Sequence, residues 1–194
     1  MRMSMRKFFL KVWYALDPLY SALIRLQPLV PASQEDIVFR TRLTKFNGKN
    51  VLLSDGTEIH KNDILLKIHL YNIKLLYNHS HIKNDLVKGK MMYKKVRNSM
   101  PDLADFIKNH PKESEIKGII GITTINNGFH LLGFESKYPS NKLYAYFKKV
   151  FQMPIYLLSG SNISMAEFKN RKTAYLLMSK EQLYKKYAKK MATD

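Results

Sequence analysis

The chain has 194 residues, no cysteine, and 33 lysines and arginines against 15 aspartates and glutamates, a formal net charge of +18. That length suits one domain, which can bury about 70% of its unfolded surface without covalent staples. The missing cysteines exclude disulfides, thiolate zinc sites and a cysteine nucleophile, and they fit a reducing, cytoplasmic setting. The positive excess favours a polyanionic partner: an anionic membrane surface, an acidic or phosphorylated polymer, or nucleic acid. The competing account spreads the lysines over solvated faces. Lysines far outnumber arginines, which argues against base reading, because arginine is the preferred bidentate reader of guanine. Any binding of nucleic acid is therefore expected to be weak and independent of sequence.

In chain order, residues 4–16 have helical spacing, with Phe9, Val12, Trp13 and Leu16 on one stripe and Lys7 and Lys11 off it. Asp17 is placed to cap a second helix that has Pro18 at its first position. The opening residues resemble a signal peptide in charge. Lys11 and Asp17-Pro18 interrupt the apolar run, however, and no stretch reaches the roughly 20 apolar residues that cross a bilayer. The segment reads instead as an amphipathic helix. Its stripe either packs on the body of the protein or, with Arg6, Lys7, Lys11 and Trp13 as contacts, lies on the inner face of a membrane. Residues 1–30 are thus expected to be an N-terminal helical segment and residues 31–194 a single α+β domain.

The body opens with a half-buried strand over residues 36–43, alternating Ile37, Phe39 and Thr41 against Val38, Arg40 and Arg42. Phe46-Asn47-Gly48-Lys49 reads as a hairpin turn, Val51–Leu53 as a strand, and Ser54-Asp55-Gly56-Thr57 as a second turn. Asp63–Leu70 is a third strand with Leu65, Lys67 and His69 on one side, so the three strands are expected to form a meander. A short helix over 73–79 capped by Asn72 comes next, then a basic helix over 82–100 and another from Pro101 to about Asn109. The apolar run over 116–125 reads as a central buried strand. Residues 129–134 read as a short helix leading into a strand at 133–135. Residues 140–152 are expected to be helical, 153–158 and 174–178 to be strands, and Ser179 with Gln182 to open a final helix as a capping box. The sum is an α+β fold: a mixed, largely antiparallel sheet with packed helices and an N-terminal amphipathic helix.

No phosphate loop, dinucleotide fingerprint, zinc-protease or nucleophile-elbow motif is present, so no cofactor or metal is expected. His69 is the leading candidate for acid–base chemistry, as a titrating side chain at a strand end beside a turn. Asp63 and Glu135 are its candidate catalytic companions, and Lys67, Asn72 and Thr123 are candidate ligand contacts. A purely structural role for His69 is the competing account. Gly118 and Gly121 in the apolar strand point to a close approach by a ligand or a packed helix. Leu132-Gly133-Phe134-Glu135 is similar to the tail of the GNAT acetyltransferases, but the pyrophosphate-holding loop of that fold is missing.

Several segments taken together resemble the YkoP-like domain family. They are Leu53 to Thr57, Lys61 to Asn72, Gly121-Ile122-Thr123 with Leu132 to Glu135, and Ser179 to Tyr187. The resemblance runs over roughly residues 8–190. Many members carry Gly-Asp where this chain has Asn62-Asp63. The same domain stands behind polysaccharide deacetylase domains in other proteins, which implies a link with cell-envelope polysaccharide and no particular activity. The expected function is that of a basic accessory protein that binds an anionic surface or polymer. The alternative is a transferase or hydrolase acting on an envelope precursor.

Overall fold

The computed structural model describes residues 2–29, 38–71, 75, 82, 84–124, 128–159 and 165–188. Asn72 and most of the helix expected over 73–79 lie outside these residues.

Residues Arg2–Leu23 form one continuous helix, α1, with Pro18 inside it. The expected break at Asp17-Pro18 does not occur. Asp17 does not cap a second helix but is buried and forms an ion pair of 2.5 Å with Arg40. The charge partner holds the aspartate in place, and the helix runs on past the proline.

Among the described residues the strands form a six-stranded sheet in the order β1-β2-β5-β6-β8-β7, with a separate two-stranded hairpin β3-β4. The strands are β1 (Gln27–Pro28), β2 (Phe39–Lys45), β3 (Val51–Leu52), β4 (Glu58–Ile59), β5 (Ile64–Leu70), β6 (Ile116–Thr123), β7 (Glu135–Lys137) and β8 (Ala174–Ser179). Every pairing in the six-stranded sheet is antiparallel except β5 with β6. The expected meander is replaced by a direct β2–β5 pair that runs from Phe39↔Leu70 to Lys45↔Ile64. The intervening residues fold onto themselves, Val51 opposite Ile59, around the Ser54–Thr57 turn. Strand β6 is central, as its apolar run predicts.

One sheet face is covered by α2 (Asp85–Asn98), α3 (Met100–Lys108) and α6 (Lys180–Tyr187), which close a core of Phe39, Leu66, Ile119 and Met178 against Met100, Leu103, Ile107 and Leu183. Helix α2 begins where Asn84 Oδ1 accepts hydrogen bonds from the Leu86 and Val87 amides. Helix α6 begins as the sequence predicts, with Ser179 Oγ accepting from the Gln182 amide at 2.9 Å. The opposite face carries a smaller apolar cluster, Phe46, Leu53, Ile59, Leu65, Ile120, Tyr175 and Leu177, covered by the hairpin and by Tyr144.

Tyr144 belongs to α4, which spans Lys142–Ser159; α5 follows at Met165–Asn170. The strand expected over 153–158 is therefore helical. Its apolar run, with Ile155 and Tyr156, yields to the continuation of the helix that precedes it. Asn62 has a φ of +74°. This is the left-handed region, where asparagine and glycine are tolerated best.

Candidate anion-binding site

Alternation along β2 and β5 decides where the charges go. Phe39, Leu43, Leu66 and Ile68 point to the α2–α3 core, so Arg40, Arg42, Lys67 and His69 must point to the other face. Antiparallel register then sets Arg40 opposite His69 and Arg42 opposite Lys67. Two basic pairs on adjacent rows make a cationic row across the two strands.

Two helices approach this row. From α1, Asp17 binds Arg40, and the Ile24 carbonyl accepts a hydrogen bond of 3.2 Å from Arg42 Nη1. The Arg40 guanidinium also lies 3.7 Å over the Tyr71 ring. From α4, Lys148 is close enough to depress the protonation of both Lys67 and His69. Gln152 on the same helix donates to the Ile122 carbonyl at 2.8 Å.

The electrostatics are lopsided. Asp17 neutralises Arg40. Among the described residues no carboxylate pairs with Arg42, Lys67 or Lys148. Lys67 is only 6% exposed. Burial, with Lys148 and Arg42 added, pulls its ammonium down to about 8. Burial first, then Lys67, Arg42, Lys148 and Arg40, pulls His69 down to about 3, so its ring is neutral at pH 7. Burial and Arg42 lower Lys148 as well. Two polar atoms on this face, Arg42 Nε and His69 Nε2, are buried with no hydrogen-bond partner among the described residues. Buried cations and buried N–H groups without acceptors are costly to fold. An anion held there would give Arg42 Nε an acceptor and Lys67 an opposite charge together.

The other candidate residues do not join this site. Asp63 stands at the opposite end of β5, about 20 Å from His69 at the usual strand rise, and its carboxylate accepts from the His60 amide at 2.7 Å. Glu135 is on β7, three strands from Lys67. Both its hydrogen bonds from Ser54, amide and hydroxyl, are 2.7 Å long, and Lys137 Nζ lies 3.3 Å away. Burial raises the Glu135 carboxyl, but the Ser54 and Lys137 bonds outweigh it and hold the group below its ordinary value. Thr123, on β6, pairs with Ala174 of β8 and by alternation from Ile120 faces away from the cationic row. Asn72 lies outside the described residues. Of the expected contacts, the structure brings together Lys67 and His69.

Sequence reasoning missed Arg40, Arg42, Lys148 and Asp17. The β-strand half was available, because Arg40 and Arg42 alternate as Lys67 and His69 do; what was lacking was the β2–β5 pairing. A shallow depression of about 460 Å³ also lies beside the hairpin, where Glu58, His60, Asp63 and Glu181 contribute to its walls. Its acidic groups do not converge, and no metal-holding cluster exists among the described residues. Gly118 and Gly121 answer to packing. A Cβ on Gly118 would lie 2.4 Å from the Met178 carbonyl oxygen, so β8, not a ligand, makes the close approach.

The YkoP domain model matches residues 6–187. The "Uncharacterized protein YkoP" of Bacillus subtilis (strain 168) is 47% identical over 186 residues, covering 96% of this chain and 100% of that protein. No solved structure matches. A match over nearly the whole length, by family model and by relative, places the chain in the YkoP domain family.

Proposed function

We propose that the protein is a binding module for a phosphate-type anion carried on a surface or polymer, and that the cationic row is its contact site. In this reading Arg42, Lys67 and Lys148 supply charge, and neutral His69 supplies a ring nitrogen. The observation that carries the reading is that Arg42, Lys67 and Lys148 share one partly enclosed face, where the Asp17 carboxylate is taken by Arg40 and no carboxylate among the described residues pairs with the other three. Structural ion pairs come with their partners, as Asp17–Arg40 does; a row left without one is arranged for a charge from outside. The acid–base alternative lacks this kind of support, because His69, Asp63 and Glu135 occupy three separate places. The family resemblance carries the cell-envelope part of the reading, through members that stand behind polysaccharide deacetylase domains.

Calorimetric titration with inorganic phosphate and with glycerol phosphate tests the proposal. Saturable binding is expected for the unmodified protein, with loss of binding in Lys67→Met and Lys148→Met that stay folded by circular dichroism. Unchanged phosphate affinity in both variants would remove the row as the site.

A further inference from the structure

Helix α4 is built inside out. Leu143, Tyr146, Phe147, Val150 and Phe151 recur at i, i+3, i+4, i+7 and i+8, the spacing of one helical face, yet that face is exposed, with Leu143 and Phe151 each at 72%. The polar side of the same helix turns toward the protein. There Lys149 Nζ donates to the Lys169 carbonyl at 2.7 Å, Gln152 bonds Ile122, and Lys148 faces the cationic row. Helix α1 repeats the pattern. Phe8, Val12, Leu16, Leu19 and Leu23 step along one face and are exposed, Leu23 at 75%, while Asp17 points into the sheet. A helix of a globular protein ordinarily turns its apolar stripe inward, and a contiguous exposed stripe marks an interaction surface. Here two such stripes flank the same cations.

We infer that α1 and α4 together form a membrane-docking face whose occupant is the headgroup layer of a bilayer rich in anionic phospholipid. The inference rests on the anion-binding reading and names the anion as a lipid phosphate. Charge complementarity selects this occupant. A second copy of the chain would bring another +18, with its own Arg42, Lys67 and Lys148, against the first. An anionic bilayer offers phosphate to the row and acyl-chain boundary to the stripes at once. Tyr20 beside the α1 stripe and Tyr146 within the α4 stripe are exposed, and an apolar ring with a polar tip suits the interface. Among the described residues no helix is long and apolar enough to cross a membrane, so the helices would lie in the interfacial plane.

The test uses the full chain with vesicles of phosphatidylglycerol and phosphatidylcholine, and with phosphatidylcholine alone. Cosedimentation with the anionic vesicles at low salt and not with the neutral ones is expected. The double variants Leu16→Ser/Leu19→Ser and Phe147→Ser/Phe151→Ser should each weaken vesicle binding roughly tenfold or more while leaving glycerol phosphate binding intact. Lys67→Met should lose both. Because the chain has no cysteine, Leu16→Cys and Phe151→Cys each accept a single environment-sensitive dye. Their emission should shift to the blue on anionic vesicles, while a dye on Lys112→Cys, in the exposed turn before β6, should not shift. This reading also holds if a serine variant fails to fold. A protein that binds glycerol phosphate and ignores anionic vesicles overturns the membrane inference and leaves the anion site standing. A protein that binds neither overturns both. Stripe variants that convert a dimer to a monomer without changing vesicle binding would make the face a self-association surface instead.

Discussion

Leu66 and Lys67 are neighbours in β5 and both are buried, yet they belong to opposite arrangements. Leu66 enters a core in which Met100, Leu103, Ile107, Ile116 and Ile119 are fully enclosed by helices whose apolar sides point inward. Lys67 enters a face where the cations outnumber the one carboxylate, Asp17, which Arg40 takes, and where α1 and α4 turn apolar stripes outward. The first face is satisfied as it stands. The second leaves charge, hydrogen-bond donors and apolar area without internal partners. Most of the enclosed apolar packing lies on one side of the sheet, with a smaller cluster on the other, and the proposed binding row lies on that second side.

The sharpest way to break this comparison is to cut both faces equally. Ile107→Ala, on the enclosed side, should lower unfolding free energy by roughly 2–5 kcal/mol, since it removes packed methylenes and leaves a cavity. Phe147→Ala, on the outward stripe, should change it by no more than about 0.5 kcal/mol. Denaturant melts of the two variants decide the matter, and comparable losses would mean that α4 is core after all.

Next in size is Lys67→Met. Removal of an uncompensated buried cation should stabilise the fold by roughly 1–3 kcal/mol while it abolishes phosphate binding. The sign follows from proton counting. Between about 8 and the ordinary lysine value of 10.5, the unfolded chain keeps the Lys67 proton and the folded protein releases it. Stability owed to this group therefore rises with pH across that window and is fully penalised below it. Lys148 and Arg42 face the same ammonium. Burial raises nearby Tyr20, Tyr144 and Tyr175 instead, so their contribution begins only above the ordinary tyrosine value. The difference in melting temperature between unmodified protein and Lys67→Met should shrink as pH rises from 8 to 10.5 and should also shrink when phosphate is added. A pH-independent difference would show that Lys67 is ordinarily solvated.

Ser179→Ala should cost about 1–2 kcal/mol, the range for loss of a helix N-cap, and it also frees Asp55, which accepts from the Ser179 hydroxyl. Burial raises the Asp55 carboxyl, but the bonds from Ser179 and Thr57 outweigh it and hold it below its usual value. Stability from Asp55 is thus present above about pH 4 and fades as pH falls, so the variant's deficit should narrow in acid melts. The smallest effect expected is at the turn. Asn62→Gly relieves a left-handed residue and should raise stability by at most about 0.5 kcal/mol, with no change in binding. A loss there would mean that the Asn62 side chain has a role beyond its backbone.

Local rules made much of the framework legible. The Ser179 cap, the apolar β6 run and the Leu-Lys-His alternation of β5 each depend on neighbours a few residues away, and each is found in the fold. The β3-β4 hairpin and the β2–β5 pair were not legible, because register between strands is settled by which partner buries Phe46 and Leu65 best. The same gap hid half the site: Arg42 and Lys67 meet only once β2 and β5 are paired. Residues 153–158 mislead for a related reason. Side-chain types favour a strand there, but adding turns to an existing helix needs no new nucleus. The outward stripe of α4 shows a further limit, since helical periodicity locates an apolar face without saying which way it points.

The position of β8 in the sheet has a consequence for how the chain is made. It is the last strand in sequence among the described residues, yet it lies between β6 and β7, with Gly118↔Ser179 through Thr123↔Ala174 on one flank and Glu135↔Leu177 on the other. Until residues 174–179 leave the ribosome, β6 exposes one backbone edge, and Ile119, Ile120 and Ile122 lack their β8 neighbours Met178, Leu177 and Tyr175. The long-range β6–β8 closure also comes late on entropic grounds. Nascent chains that stall before Ala174 thus carry an open apolar edge of the kind that seeds aggregation. Quality control of this protein should act most heavily on chains truncated at that point.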